Sequence, residues 1–376
     1  MAGPLPVLLM ARELDSGGCE RDLTRFAKAV NRERFEPHVA CFRPGGLRFE
    51  ELKAAGVPVT CFSVQSLVGV SGISGAIDMH RYLRRHRIGL VHAFDAPTGL
   101  FAAPVALSLR VPIIESNLWF RDAIHGRLRH GLRFLDRVAD AIMVNSSAVK
   151  QQLVRDEGVS ADRIHLCYNG VDISIFKPEP TPRPHAVQNA TLVIGSVCGL
   201  RAEKRLDRLI EAFASVRPLM PGMKLLIVGS GAMLPSLQAL NQKLGLQDAC
   251  IFEPSTRDVA KWMCSIDIFV LPSDTESFPN GVLEAMACGC AVIGSRVGGV
   301  PELIEEGRSG LLFDTKTPDS LAEALEKLIQ DGSLRKRLAE AAAARASVWF
   351  SLARSVDCIE TMYEKVLSVR RPGSRA

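Results

Sequence analysis

The sequence predicts an α/β protein of two doubly wound, Rossmann-like domains that face each other across a cleft. The chain has 376 residues, of which 47% are hydrophobic and 23% are charged, so it is long enough for two cores. Short runs rich in Val, Ile and Leu recur between longer amphipathic stretches, which is typical of parallel strands covered by helices on both faces. A proline-rich segment interrupts this pattern, and the pattern then starts again.

The first domain is predicted over residues 1–180. Its strand-like runs are LPVLLMA (5–11), HVACF (38–42), PVTCF (58–62), LVHAFD (90–95), VPIIES (111–116), AIMVN (141–145) and IHLCY (164–168). These runs are shorter than a typical helix and rich in β-branched residues, so buried strands are the better interpretation.

A linker is predicted at residues 181–190, within KPEPTPRPHAVQNA, because four prolines in a short polar stretch disfavour helix and inner strand. The second domain follows at 191–345. Its strand-like runs are TLVIGSVC (191–198), KLLIVGSG (224–231), ACIFEP (249–254), IDIFVLPS (266–273), CAVIGS (290–295) and GLLFD (310–314). Residues 346–376 are predicted to form a C-terminal helix that packs back on the first domain.

The composition argues against several classes of protein. Ten cysteines are scattered without metal-type spacing, and the N-terminal segment lacks the basic lead and long apolar stretch of a signal peptide, which predicts a cytoplasmic location. The sequence contains no run of about 18 apolar residues, so no membrane span is predicted. The formal net charge of +5 is modest, and without nucleic-acid motifs it indicates no nucleic-acid partner.

The segment 271–304 is the strongest candidate for a binding site. A helix is predicted to begin near Asn280, and the free N–H groups of Asn280, Gly281 and Val282 would offer a diphosphate hydrogen bonds and the positive end of the helix dipole. Glu276 on the preceding loop and Glu284 one turn into the helix would grip sugar hydroxyls. The alternative is that Glu276 is a solvated loop residue and that Glu284 only interacts with the helix dipole.

Two further strand ends of the second domain carry candidates. Arg201 and Lys204 follow one strand and would meet a phosphate together, although in isolation ordinary surface charge is the favoured explanation. Gly229 follows the next strand, where a short glycine motif is also consistent with a tight turn. Three strand ends would then form one anion site.

The first domain offers weaker candidates. Gly17 and Gly18 lie in a strand-to-helix turn that would admit a phosphate or a sugar, or would serve only to reverse the chain. His92 and Asn117 stand at predicted strand ends, where a lone histidine is more often structural. No Asp-x-Asp triplet occurs, and the Cys288–Cys290 pair has no nearby second pair, so neither an essential metal nor another cofactor is expected.

The motifs ESFPNGVLEAM and VGGVPELIEEGRSGLLF, after a strand reading IDIFVLPS, resemble the family 4 retaining glycosyltransferases, whose hallmark is two glutamates separated by seven residues. SGGCERDL, DAIMVNSSAVKQQL, YNGVDISIFKP and EKRLDRLIEAF resemble family segments in the same order. The resemblance implies a GT-B fold, an acceptor-side first domain, a donor-binding second domain, and transfer with retention of anomeric configuration without an essential metal.

The resemblance also implies roles for individual residues. Glu284 would hold the ribose hydroxyls, Glu276 would lie against the donor sugar, and Lys204 would neutralise the diphosphate. The backbone of Phe278, Pro279, Asn280, Gly281 and Val282 would contact the phosphates and the sugar. The departing diphosphate would itself assist deprotonation of the acceptor.

Three positions depart from the family pattern. Gly199 stands where the family usually has an arginine, so Arg201 would have to supply the second cation. A histidine common after the fifth strand is absent, and Asn117 or His125 would serve instead on the acceptor side. Glu253 and Pro254 occupy positions where the family usually has a glycine.

Arginines in the stretch 118–138, among them Arg127, Arg129 and Arg133, alternate with apolar residues. A helix on anionic lipid would explain this pattern, and so would a solvated helix whose leucines fill the core, which is the preferred interpretation. On the first interpretation, the protein is peripheral at the inner face of a membrane.

The sequence therefore predicts a glycosyltransferase that uses a nucleotide-sugar donor and a glycan or lipid-linked acceptor. Two alternatives stay open: a nucleotide-sugar epimerase or phosphorylase of the same architecture, and a non-catalytic nucleotide-binding subunit of a glycan assembly complex. The sequence leaves open the nucleotide, the sugar, the acceptor, the linkage, the oligomeric state, and whether Gly199 lowers activity.

Overall fold

The computed structural model describes residues 3–15, 17–122, 126–179 and 182–370. Contacts divide the chain into two compact units, which are described separately. Unit 1 contains Met1–Asn169 and Leu352–Ala376, and unit 2 contains Gly170–Ser351. Unit 2 is thus inserted between two parts of unit 1 along the sequence.

Unit 1 is built on a parallel sheet. Within the described residues its seven strands are β1 (Leu5–Met10), β2 (Phe35–Cys41), β3 (Val59–Cys61), β4 (Leu90–Ala93), β5 (Ile113–Asn117), β6 (Ala141–Val144) and β7 (Ile164–Leu166). They lie in the order β3-β2-β1-β4-β5-β6-β7, and the pairs are parallel. Each strand overlaps one of the predicted runs.

Helices cover both faces of this sheet. They are α1 (Gly18–Ala29), α2 (Leu47–Ala54), α3 (Val70–Arg85), α4 (Ala96–Ser108), α5 (Gly126–Val138) and α6 (Ser147–Glu157). Alternate residues of β1 enter different cores: Val7 and Leu9 pack in one hydrophobic cluster, and Leu8 and Met10 pack in another. This alternation explains the continuous apolar run, because successive side chains of a strand point to opposite faces.

Unit 2 repeats the same topology. Its six strands within the described ranges are β8 (Val193–Val197), β9 (Lys224–Val228), β10 (Cys250–Glu253), β11 (Ile268–Leu271), β12 (Ala291–Ser295) and β13 (Leu311–Phe313). Their order is β10-β9-β8-β11-β12-β13, again with parallel pairs. The prediction of two doubly wound, Rossmann-like domains is confirmed.

The helices of unit 2 are α7 (Leu206–Val216), α8 (Leu234–Lys243), α9 (Val259–Met263), α10 (Asn280–Ala287), α11 (Val300–Leu303), α12 (Ser320–Gln330) and α13 (Gly332–Trp349). Local capping fixes where several helices begin. Asp331 accepts a hydrogen bond from the N–H of Leu334 at 2.8 Å and caps α13, as Asp95 caps α4 through Thr98.

The proline-rich stretch lies on unit 2 where the sequence suggested a linker. Arg183 donates to Asp267 at 2.6 Å and to the carbonyl of Ala190 at 2.9 Å, and Val187 is buried. Prolines disfavour helix interiors and inner strands, but they do not prevent a segment from packing on a surface through its other side chains. Pro180 and Thr181 lie outside the described residues.

The last helix, α14 (Leu352–Arg370), belongs to unit 1, although it follows unit 2 in the chain. Tyr363 of α14 is buried and makes edge-on ring contacts with Phe26 and Phe35 at 5.6 and 5.5 Å. Glu360 accepts hydrogen bonds from the N–H of Asn31 and from Arg34. In the described part of the chain, no helix is long and apolar enough to cross a bilayer.

The buried contact between Tyr363 and His92 generates a pH-dependent prediction. Burial lowers the pKa of His92 to about 3, from an ordinary value of 6.5. Between these values the unfolded chain binds a proton that the folded chain does not. The stabilisation from the neutral ring is therefore present above about pH 6.5 and decreases toward pH 3, by up to roughly 1.4 kcal/mol per pH unit.

We expect His92→Gln to flatten this acid dependence of the free energy of unfolding, because glutamine does not titrate. The measurement is denaturant unfolding of the wild type and the variant between pH 7 and pH 4. Tyr363→Phe, which keeps the histidine, serves as the control and should retain the dependence. Parallel curves for the wild type and His92→Gln would contradict the assignment.

Candidate functional site

Two loops of unit 2 meet where its strand order reverses. β8 and β11 are neighbours in the sheet, although β9 and β10 lie between them in the sequence. Ligands of doubly wound sheets bind at such a reversal, beyond the carboxyl ends of the strands. The loop 198–205 follows β8, and the loop 272–279 follows β11. The predicted donor residues of unit 2 lie on these loops, at the start of α10 and after β9.

An ion pair joins the two loops. Lys204 Nζ donates to Glu276 Oε1 at 2.5 Å, and Ser273 Oγ donates to the same oxygen at 2.7 Å. The side chains of Lys204 and Glu276 are only 12% and 10% exposed. The carbonyl of Glu276 also accepts from the N–H of Gly299 at 3.1 Å. Because both charges are largely removed from water, each depends on the other for compensation.

The helix α10 begins directly after this loop, with Pro279 at its N-cap. Asn280 and Val282 are buried, and Glu284 is only 2% exposed. The first N–H groups of a helix lack intrahelical partners and carry the positive end of the dipole, so this end favours an anion. The structure thus places a buried carboxylate, an N–H-rich helix start and a lysine–glutamate pair on adjoining segments.

Gly281 packs closely against the end of β8. A Cβ atom at Gly281 would lie 3.2 Å from the carbonyl oxygen of Val197 and 3.6 Å from the ring of Phe269. The missing side chain therefore lets α10 approach the end of β8. Phe278 is likewise a packing residue, because it is buried and contacts Phe350 edge-on at 5.4 Å.

Gly229 and Gly231 let the end of β9 approach the loop after β8. A Cβ atom at Gly229 would lie 1.9 Å from the carbonyl oxygen of Cys198, and one at Gly231 would lie 2.3 Å from that of Leu200. These contacts are backbone contacts, so no side-chain movement can relieve them. The glycine motif therefore fixes the shape of the loop that carries Arg201 and Lys204.

Arg201 is not part of the ion pair. Its guanidinium is exposed and pairs with Glu203 at 2.9 Å. Its Nε atom lies 3.8 Å from the position of a Cβ atom at Gly199. The arginine therefore occupies space next to Gly199, and its role as a second cation stays a prediction.

Sequence reasoning missed a second set of ion pairs, which join Asp274 to Arg205 on the loop after β8 and to Arg208 in the first turn of α7. Arg205 binds Asp274 at 3.0 Å, and Arg208 binds Asp274 at 3.1 Å and the carbonyl of Pro272 at 2.8 Å. Arg205 has a left-handed backbone with φ of 48°, which is uncommon for a non-glycine residue. The sequence signal was Asp274 beside Glu276, with arginines one and four residues after Lys204. We call Arg205, Arg208 and Asp274 the loop clamp.

Gly17 and Gly18 lie in unit 1, unlike the other donor candidates. Gly17 is the N-cap residue of α1, and a Cβ atom there would lie 2.0 Å from Glu20 Oε2. The segment 12–22 contains four acidic and two basic residues, for a net charge of −2. Asp95 is close by in the fold, because its carboxylate accepts from the N–H of Arg12 at 2.6 Å. Burial raises the pKa of Glu20 and Asp95 and so favours their neutral forms. The excess of acidic residues nevertheless makes this turn a poor site for phosphate.

The structure does not support an acceptor-binding role for His92. Its side chain is fully buried, Nδ1 bonds Tyr363 at 2.7 Å and Nε2 bonds Ser116 at 2.8 Å. Asn117 is also buried, and it bonds the carbonyl of Trp119 and the guanidinium of Arg121. His92 therefore stabilises the core, and Asn117 stabilises the loop after β5. His125 lies outside the described residues.

Three arginines of the stretch 118–138 form ion pairs within unit 1. Arg121 is buried and pairs with Asp136 at 2.7 Å and with Glu115 at 3.4 Å, while burial raises the pKa of Glu115 to about 8. Arg129 and Arg133 both pair with Glu157. The side chain of Arg127 lies outside the described part. These contacts favour the solvated-helix interpretation of this stretch.

Cys288 and Cys290 are buried in unit 2. Within the residues that the structure describes, no group of three or more His, Cys, Asp or Glu side chains is arranged to hold a metal ion.

The topology and the charged strand ends define a class of protein: a GT-B-type glycosyltransferase fold of two Rossmann-like domains. A family model described as Glycosyltransferase Family 4 matches residues 16–175, and one described as Glycosyl transferases group 1 matches residues 179–345. The two models match consecutive parts of the chain, which therefore belongs to the family 4 glycosyltransferases.

Individual relatives agree with this family. The chain is 30% identical to N-acetyl-alpha-D-glucosaminyl L-malate synthase of Bacillus anthracis, over 54% of each protein. It is 31% identical to D-inositol 3-phosphate glycosyltransferase of Corynebacterium jeikeium, over 63% of this chain and 60% of the relative. The matches thus span little more than half of these relatives. Among solved structures, Anabaena HepE in complex with UDP and glucose has a TM-score of 0.86 at 23% identity, over 96% of this chain and all of HepE.

The backbone contact at Gly229 generates a stability prediction. We expect Gly229→Ala to lower the free energy of unfolding of unit 2 by roughly 3 kcal/mol, because the new methyl group meets a carbonyl oxygen. The measurement is denaturant unfolding. Gly332→Ala at the start of α13, where the nearest atom is 3.6 Å away, is the control and should change stability by less than about 1 kcal/mol. Equal effects would contradict the contact.

The loop clamp generates a prediction about local motion. We expect Arg208→Ala to accelerate amide hydrogen exchange in 272–279 by about tenfold, because two bonds to this loop are lost. Mass spectrometry of peptic fragments measures the change. Arg217→Ala removes a comparable ion pair with Asp248 elsewhere in unit 2 and should leave this loop unaffected. Unchanged exchange in Arg208→Ala would show that the clamp does not hold the loop.

Proposed function

We propose that the chain transfers a sugar from a nucleotide-sugar donor to a glycan or lipid-linked acceptor, with retention of anomeric configuration and without an essential metal. The observation that carries this proposal is the Lys204–Glu276 pair at the strand-order reversal of unit 2, next to the start of α10. It supplies a cation for the diphosphate and a carboxylate for the sugar within one site.

Unit 2 is the better candidate for the donor on electrostatic grounds. The turn after β1 in unit 1 carries a net charge of −2 over residues 12–22 and adjoins Asp95, so it would repel a diphosphate. At the corresponding point of unit 2, Lys204 follows β8, and α10 directs its N–H groups out of its first turn. We therefore assign the diphosphate to unit 2 and expect unit 1 to bind hydroxyl-rich groups of the acceptor.

The family resemblance suggests a role for each residue of the site. Glu284 would hold the ribose hydroxyls from within α10, Lys204 and Arg201 would meet the diphosphate, and Glu276 would lie against the donor sugar. Departure of the nucleoside diphosphate develops negative charge, which Lys204 and the helix start would stabilise in place of a metal. The departing phosphate would accept the proton of the acceptor hydroxyl.

The ion pair gives the two charges opposite effects on diphosphate binding. Glu276 repels the diphosphate and competes for Lys204, whereas Lys204 attracts it. A donor sugar whose hydroxyls donate to Glu276 would offset that repulsion, so the site would favour the complete donor over the free nucleoside diphosphate. Because HepE was crystallised with UDP and glucose, UDP-sugars are the first donors to test.

Removal of either charge tests this assignment. We expect Glu276→Gln to lower turnover at least about 100-fold without weakening the binding of free nucleoside diphosphate. Lys204→Met should weaken that binding about tenfold or more and also lower turnover. The assay is release of UDP, GDP or ADP from a panel of sugar nucleotides, with and without EDTA. Calorimetry gives the affinity for the free diphosphate, and NMR gives the anomeric configuration of the product.

The control is a matched pair on the surface of unit 2. Lys336 and Glu340 form an ion pair at 3.9 Å with side chains 79% and 68% exposed, so Lys336→Met and Glu340→Gln should leave both readouts unchanged. Full turnover in Glu276→Gln would show that Glu276 has no role in sugar transfer. A nucleotide that shifts the melting midpoint, with no turnover of any donor, would favour the non-catalytic subunit. Loss of turnover in EDTA would contradict metal independence.

A further inference from the structure

Helix α3 carries apolar residues on two opposite faces. Gly72, Gly75, Met79 and Leu83 are buried against unit 1. The opposite face presents Val70, Ile73 and Ile77, which follow each other at the three- and four-residue spacing of a single helix face. Val70 is 85% exposed and Ile73 is 64% exposed.

The apolar surface continues into the segment before the helix. Leu67 and Val68 are exposed, Val68 to 85%. A Cβ atom at Gly72 would lie 2.6 Å from the carbonyl oxygen of Leu67, and Ser71 Oγ donates to the carbonyl of Ser66 at 3.3 Å. The missing side chain of Gly72 thus lets the segment fold closely onto the first turn of α3. Leu67, Val68, Val70, Ile73 and Ile77 form what we call the α3 patch.

The α3 patch is a cluster and not a scatter of single residues. Among the residues that the structure describes, five of sixteen large exposed hydrophobic side chains fall within residues 67–77. Single exposed aliphatic residues are ordinary, whereas a contiguous apolar surface indicates an interaction site.

The same helix face becomes basic in its second half. Arg81 and Arg84 continue the spacing of Ile77 and are exposed, and Arg85 and Arg87 are exposed beside them. Asp78 is the one acidic residue in the sequence from 63 to 88, and it pairs with Arg81 at 3.4 Å. Four arginines and one aspartate give this segment a net charge of +3, histidines apart.

We propose that the α3 patch and its arginines dock the chain on an anionic lipid surface. Branched aliphatic side chains enter the boundary between headgroups and acyl chains, while arginines one and two turns away reach the lipid phosphates. The helix lies in the plane of the surface and does not cross it.

The composition of the surface favours lipid over a protein partner. Protein interfaces are enriched in aromatic residues and depleted of charge at their centre. The exposed side chains of the α3 patch are all aliphatic, and the adjoining half of the face is strongly basic. The arginines of α5 differ, because Arg129 and Arg133 are paired with Glu157. This proposal does not depend on sugar transfer.

Vesicle binding by the purified full chain tests the proposal. The probes are vesicles of phosphatidylcholine alone and vesicles of phosphatidylcholine and phosphatidylglycerol in equal parts, with co-sedimentation as the readout. We expect binding to the anionic vesicles only, and weaker binding as salt rises. The double variant Ile73→Ser/Ile77→Ser should lower that binding at least about tenfold. Arg84→Glu/Arg85→Glu should lower it by a similar factor.

Two control variants with single substitutions complete the design: Ile175→Ser, at an exposed isoleucine of unit 2, and Arg257→Glu, at an exposed arginine of unit 2. Both should bind vesicles like the wild type, and unchanged melting midpoints would show that all variants fold. No binding by the wild type, or equal binding by the α3 variants, overturns the proposal. A concentration-dependent dimer that Ile73→Ser/Ile77→Ser abolishes, without vesicle binding, assigns the α3 patch to a second copy of the chain instead.

Discussion

The contact between the loops after β8 and β11 is the constraint on which the site in unit 2 depends. Two oppositely charged side chains that are about nine-tenths buried stabilise each other only while they remain in contact. Ser273 bonds the carboxylate, and Gly299 bonds the carbonyl of Glu276. The carboxylate is therefore positioned by groups from three segments of the sheet edge. This arrangement holds the carboxylate of Glu276 in place without a ligand.

The two units show how one topology supports different electrostatics. Both sheets have their strand reversal between the first and fourth strands of the unit, and in both a glycine lies at a nearby loop. In unit 1 the reversal holds Asp95, which accepts from the N–H of Arg12 and caps α4. In unit 2 it holds Lys204 and the start of α10. Fold alone therefore does not decide where an anion binds, because the side chains at the reversal set the local charge.

Periodic burial was predictable from the sequence, and long-range contacts were not. The strands were visible because a parallel strand covered on both faces is a nearly continuous apolar run. The residues of the predicted anion site converge because parallel strands end at one edge. By contrast, the packing of Gly281 on Val197, the burial of His92 and the loop clamp depend on neighbours distant in sequence. A single glycine or histidine gives no local signal that separates a packing role from a binding role.

The position of α14 in unit 1 follows from one further long-range constraint. Residues 170–351 are inserted, and the N–H of Val171 donates to the carbonyl of Phe350 at 2.8 Å, so the segments that enter and leave unit 2 are paired. Without α14, the buried ring of His92 would lose its bond to Tyr363, and Phe26 and Phe35 would lose their aromatic neighbour. An unmatched buried polar atom and an opened core are each destabilising by a few kcal/mol. The sheet of unit 1 therefore reaches its full stability only when the last helix of the chain packs against it.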